Sequence, residues 1–137
     1  MSYLVEGACQ CGQVSYKLQQ PPKMVLACHC IECQKLSTSP FSVTAIVATE
    51  DIEISGELKE WARLAESGNK NYAKFCPDCG NRVYHYNPDD QSTLKLKLKA
   101  SSPHDHSVFE PTAHVWVSEK QDWYQIPEGV KTFDKQP

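Results

Sequence analysis

The stretch "CPDCG", residues 76–80, decides how the rest of the chain is read. Pro77 sets the backbone angle for a tight turn, two intervening residues aim the Cys76 and Cys79 sulfurs at one point, and Gly80 lets backbone amides approach them. This is a zinc knuckle, and a knuckle supplies only two of the four ligands of a tetrahedral site. The second pair is expected from "CQCG", residues 9–12, as a C-x-C in an extended segment followed by a glycine. Cys9, Cys11, Cys76 and Cys79 would then close a structural four-cysteine site that joins the first strand to a late hairpin. A thioredoxin-like redox pair at Cys76 and Cys79 would need a βαβ pattern around it, which the sequence lacks.

Three cysteines remain, all within "ACHCIEC" at residues 27–33. Cys28, Cys30 and Cys33 form a local set of three, and three protein ligands with one exchangeable position is the usual form of a catalytic zinc site. Three thiolates outweigh the charge of Zn²⁺, which makes the metal a weak activator of water and a good acceptor of a soft thiolate. An incoming thiol is therefore the expected partner. His29 lies between two of these cysteines, where an extended backbone turns its side chain away from both sulfurs. Two plainer readings stay open: one of the three packs as a small core residue, or the trio takes a histidine as fourth ligand in a purely structural site.

Composition narrows the class. The chain has 137 residues, a formal charge of −3 and seven cysteines, and its length fits a single domain, 1–137. The net negative charge and the scarcity of arginine, Arg63 and Arg82 alone, argue against a nucleic-acid partner. No apolar run reaches the roughly 18 residues of a membrane span. The start "MSYLVEGACQC" lacks the basic and apolar pattern of a signal peptide, so the expected location is cytoplasmic. An odd number of cysteines in a reducing compartment speaks for thiolate–metal chemistry over a disulfide framework.

Short β-branched or alternating runs at residues 13–18, 41–48, 52–54, 82–86, 94–98 and 113–117 predict a mainly β fold, with "KMVLAC" a buried strand and "CIECQKLS" a short helix carrying Cys33. The alternation of Lys95, Lys97 and Lys99 is read as a solvated strand face at an edge. The segment after Trp123 is expected to lie along the surface and fray.

Taken in order, G-x-C-x-C-G at residues 7–12, C-H-C-x-x-C-x-K-x-S at 28–37, F-C-x-x-C-G at 75–80 and P-x-x-H-x-W-V at 111–117 resemble the glutathione-dependent formaldehyde-activating enzyme (GFA) family, whose domain is shared with centromere protein V. The resemblance implies a zinc-containing β-tent of small antiparallel sheets and a carbon–sulfur lyase activity. It also implies the same division of zinc, with Cys9, Cys11, Cys76 and Cys79 on a structural ion and Cys28, Cys30 and Cys33 on a second, labile one. A glutathione-like thiol would bind there and add to an aldehyde to give an S-hydroxymethyl adduct, or leave it in the lyase direction. Lys35, Lys74 and Arg82 are the nearest cations in sequence for the carboxylates of glutathione, with His114 and Trp116 as further pocket candidates. The chain departs from the family's pattern at Gln34, where arginine is common, at Thr38 for glycine, at Asn81 for serine, and in "KASSPHD" at residues 99–105. The alternative is a zinc-stabilised protein-binding module on the same fold, with Trp61, Tyr84, Tyr86 and Trp116 as its contact face.

Overall fold

Alternate side chains of the short β-branched runs reach one shared core, and that core sets the strands. The protein, seen in a computed structural model that describes residues 3–137, is mainly β. Met1 and Ser2, the start of the expected domain, lie outside the described residues. In chain order the elements are β1 (Val5–Ala8), β2 (Ser15–Leu18), β3 (Met24–Cys28), α1 (Ile31–Ser37), β4 (Ser42–Ala48), β5 (Ile52–Ser55) and β6 (Lys59–Trp61). Then follow β7 (Tyr72–Phe75), β8 (Arg82–Asn87), β9 (Asp90–Leu96), β10 (Ala113–Val115) and β11 (Lys131–Thr132). No helix among the described residues is long and apolar enough to cross a membrane.

Strands β1, β2 and β5 make a three-stranded antiparallel sheet. The other eight form a second sheet in the order β11-β10-β3-β4-β9-β8-β7-β6, antiparallel except where β10 pairs in parallel with β3 and β11. Register divides this sheet into two unlike faces. Val25 opposes Ala45, and Ala45 opposes Leu96; this row joins Val5, Val14, Tyr16 and Leu18 of the smaller sheet in one buried cluster. The opposite face carries Cys28 across from Ser42 and His85 across from Lys95. Ser42, Thr44 and His85 are nonetheless buried; α1 packs against β4, and Arg82 bonds the His85 ring.

Two expectations are corrected here. The lysine strand is not an edge: β9 lies between β4 and β8, and the Lys97 Nζ donates to Thr44 Oγ1 at 2.6 Å instead of pointing into solvent. The chain after Trp123 does not simply fray either. Lys131–Thr132 adds a strand beside β10, and the amides of Trp116, Val117 and Ser118 donate to the carbonyls of Lys135, Phe133 and Asp134. Two residues of strand are too few to leave a periodic signal.

Gly7 shows how tightly β1 packs against the Tyr16 ring of β2 and the chain that follows β9. A Cβ there would sit 2.4 Å from the Tyr16 ring and 2.7 Å from the Lys99 carbonyl oxygen. Tyr16 is itself buried, so neither neighbour can retreat into solvent. Gly7→Ala is expected to destabilise the domain by about 1–3 kcal/mol, read as a lower midpoint in urea with an unchanged slope.

Candidate metal centres and the cleft beside them

Cys9 and Cys11 sit in the turn that follows β1, and Cys76 and Cys79 in the turn that follows β7. The first pair lies in a turn, not in the extended segment expected for it. The turns are built alike. Cys9 N donates to Val14 O and Cys76 N to Asn81 O, both at 2.9 Å, while Gly12 N returns to Cys9 O and Gly80 N to Cys76 O. Both glycines hold left-handed backbone, at φ 82° and 79°, where a side chain would strain the turn. Backbone amides point at the sulfurs: Val14 N lies 3.3 Å from Cys9 Sγ, and Asp78 N lies 3.4 Å from Cys76 Sγ.

Asn81 clasps the two turns together, its Oδ1 accepting from Gln10 N at 2.8 Å, and Gln13 Nε2 donates to Cys76 Sγ at 3.4 Å. The four sulfurs lie within 4.8 Å of one another. Cys11 Sγ is 3.7 Å from both Cys9 Sγ and Cys76 Sγ. A tetrahedral ion with bonds of about 2.3 Å to sulfur separates its ligands by about 3.8 Å, so the donor set fits zinc. Cys9 and Cys76 belong to the buried core, whereas Cys11 is open to solvent.

The second cluster is made by a strand running into a helix. Cys28 ends β3, Cys30 is the N-cap of α1 and accepts from Cys33 N at 3.3 Å, and Cys33 is buried in the first turn. These three sulfurs also lie within 4.8 Å of one another and could hold a metal. Hydrogen bonds with Cys28 and then Cys30 hold the Cys33 thiol well below the ordinary range, and Lys97 and Ser42 lower it further. Cys28 is pushed up by its hydrogen bonds to Cys30 and Cys33, with burial adding to the effect.

His29 turns away from the sulfurs, as expected from an extended C-H-C. It is fully buried, its Nε2 lies 2.7 Å from His114 Nδ1, and its ring packs against Phe41, His114 and Tyr124. Burial first, then the charge of His114, pushes its pKa down to about 4. His114 is thus tied to His29 and does not join the sulfur cluster.

A cleft of about 710 Å³ runs between the two clusters, lined by Ser37, Thr38, Ser42, Arg82 and Lys97 on one side and by Ala8, Gln10 and Asn81 near the four-cysteine turns; no cysteine lines it. Ser42 Oγ is buried there without a hydrogen-bond partner. Burial lowers the Lys97 ammonium from its usual range, and the negative charge at Cys33 and Cys28 works in the opposite direction. Arg82 donates to His85 Nε2 at 3.0 Å and stacks over Trp61 at 5.5 Å. His85 stays neutral, its pKa pushed to about 3 by burial and then by Lys97 and Arg82.

The other cations named from the sequence go elsewhere. Lys35 stands on the exposed side of α1, paired with Glu32 at 3.3 Å, and Lys74 is taken up by Glu60 at 3.4 Å. The four aromatics of the binding-module reading are divided by the sheet. Trp61 opposes Ala73 and Ala73 opposes His85, which puts Trp61 on the face opposite Tyr84 and Tyr86. Trp116 lies away in the C-terminal segment, bonded to Gln136 at 2.8 Å.

Comparison with known proteins gives a family and a similar fold. The family model described as glutathione-dependent formaldehyde-activating enzyme matches residues 4–119. Among solved structures, a Rhodobacter sphaeroides protein is similar at 18% identity with a TM-score of 0.52, covering 73% of this chain and 93% of its own; it speaks for the fold alone. No curated protein matches.

Proposed function

Because the chain belongs to the glutathione-dependent formaldehyde-activating enzyme family, we propose that it is a zinc-dependent carbon–sulfur lyase acting on a thiol–aldehyde adduct in a reducing cytoplasm. In this reading Cys9, Cys11, Cys76 and Cys79 hold a structural zinc, and Cys28, Cys30 and Cys33 hold a second zinc with one exchangeable position. That ion, when bound, would keep a glutathione-like thiol as its thiolate at neutral pH.

The observation that carries the proposal is the unlikeness of the two clusters. One has four sulfurs from two matching turns, enough to close a tetrahedral site; the other has only three, and Ser42, which pairs with Cys28 across the sheet, lines a cleft of about 710 Å³. A closed set suits structure, and a set of three with one position to spare suits chemistry. The chain's own residues then do the remaining work. Arg82, in the cleft lining, offers a guanidinium to a carboxylate of the thiol. Phe41 and Ser37 to Ser39 bound the cleft on the α1 side and would limit the size of the aldehyde.

Native mass spectrometry of freshly purified protein tests this. Two zinc ions per chain are expected, with one bound glutathione appearing on the two-zinc species. A single zinc indifferent to glutathione would overturn the proposal and favour the protein-binding module.

A further inference from the structure

Two polar side chains in the cleft wall, Ser42 and Lys97, take no part in the binding of thiol or aldehyde described above. Ser42 is 2% exposed, lines the cleft and has no hydrogen-bond partner. Lys97, half-buried in the same lining, has its ammonium anchored on Thr44 Oγ1. A buried hydroxyl without a geometric partner is costly to keep, so one in a cleft wall is a reason to look for a missing oxygen ligand.

Register brings the two together. Ala45 opposes Leu96, so the next rung places Thr44 against Lys97, as their hydrogen bond requires. Ser42 is two residues along β4 on the same face, and Cys28 faces Ser42 from β3. Cys28 of β3, Ser42 of β4 and Lys97, the residue that follows β9, therefore share one side of the sheet, with Cys33 carried by α1. Ser42 is the direct cross-strand partner of Cys28, and Lys97 reaches this face through Thr44. A thiolate held at the cluster would have its first substituent atoms in reach of this hydroxyl and this ammonium.

We propose that Ser42 and Lys97 receive the carbonyl oxygen of the aldehyde as the thiolate adds to it, and so are catalytic residues of the lyase reaction. The inference rests on the function proposed above. In the adding direction the thiolate sulfur forms a bond to the carbonyl carbon while the carbonyl π pair moves onto oxygen. The oxygen, negative at that moment, is held by the Ser42 hydroxyl and the Lys97 ammonium. It then takes one proton from solvent, equal to the one the thiol released, to give the S-hydroxymethyl product. No oxidant or reductant is needed, and the cleavage direction retraces the same movements. Donors fixed where charge develops act on the transition state more than on the bound thiol, so their loss should change rate without changing thiol affinity.

The test measures exchange between formaldehyde and S-hydroxymethylglutathione by NMR, above the spontaneous background, in zinc-replete protein. Zinc per chain and glutathione affinity by calorimetry are read in parallel. Lys97→Met is expected to slow exchange about 100-fold while zinc content stays the same and glutathione affinity moves less than about twofold. Lys97→Arg should recover part of the rate. Ser42→Ala should lose about tenfold, and it carries the test if Lys97→Met does not fold. A Lys97→Met enzyme exchanging within about threefold of the unaltered protein, or one that loses zinc or glutathione binding in step with rate, overturns the assignment while leaving the lyase reading intact. An unaltered protein that does not accelerate exchange at all overturns both, and is recognised by its inertness before any substitution is made.

Discussion

Cys79→Ser is expected to lose one zinc and its cooperative fold together. The four sulfurs of that cluster come from turns in two different sheets, one after β1 and one after β7, and two of them, Cys9 and Cys76, are part of the hydrophobic core. Without the ion, several thiolates would face one another at 3.7 Å or take up protons and leave buried thiols in a space shaped for a metal. A structural zinc contributes about 10–16 kcal/mol in zinc-finger peptides, against a total stability of about 5–15 kcal/mol for a domain of ordinary size. Losing even ~4 kcal/mol would lower Tm by about 15 °C for a chain of this length. The measurements are zinc per chain and thermal melting by circular dichroism. A variant that melts cooperatively within a few degrees of the unaltered protein would show that the two sheets hold together without this tie.

The sulfurs were legible in the sequence because a thiolate site is built from local turns. "CQCG", "CHCIEC" and "CPDCG" each carry their geometry in spacing and a glycine or a helix cap, and the structure gathers them as two clusters. Side chains supplied by pairing across the sheet were not legible. Lys97 is far in sequence from Cys33, and its alternation with Lys95 and Lys99 has the pattern of a solvated strand face. Only the order of strands, with β9 inside the sheet and α1 laid over β4, turns that lysine toward the cysteines.

The departures from the family's pattern have a similar explanation. Asn81 replaces a small residue and clasps the two metal-binding turns. Gln34 donates to His29 O at 2.7 Å and to Glu119 O at 2.9 Å, and accepts from Gln121, so it fastens α1 to the end of β3 and to the C-terminal segment. Thr38 is less well accommodated. It ends α1 at φ 47°, a left-handed position that glycine occupies without strain and a β-branched residue does not. Single positions in a family pattern report their own contacts, and these become visible only once the chain is folded.

Cys30→Ser should have the opposite effect to Cys79→Ser: a stable domain without the reaction. Cys30 is the N-cap of α1 and accepts from Cys33 N. Serine is among the preferred residues for that position, so the helix keeps its cap and Cys33 its place. The sulfur is only half-buried, and the hydroxyl that replaces it can be hydrated. Stability should therefore change by less than about 1 kcal/mol. The metal chemistry does not survive the exchange in the same way. A hydroxyl does not ionise at neutral pH, and two thiolates with a neutral oxygen are a poor set for zinc. One zinc per chain should remain, bound glutathione should disappear from the native mass spectrum, and formaldehyde exchange should fall to the spontaneous rate. The comparison with Cys79→Ser makes the result decisive. Equal loss of Tm in the two variants would mean that both clusters hold the fold together, and the three-cysteine set would then be structural. Unequal loss, with zinc falling by one in each, would leave folding to the closed cluster and chemistry to the open one.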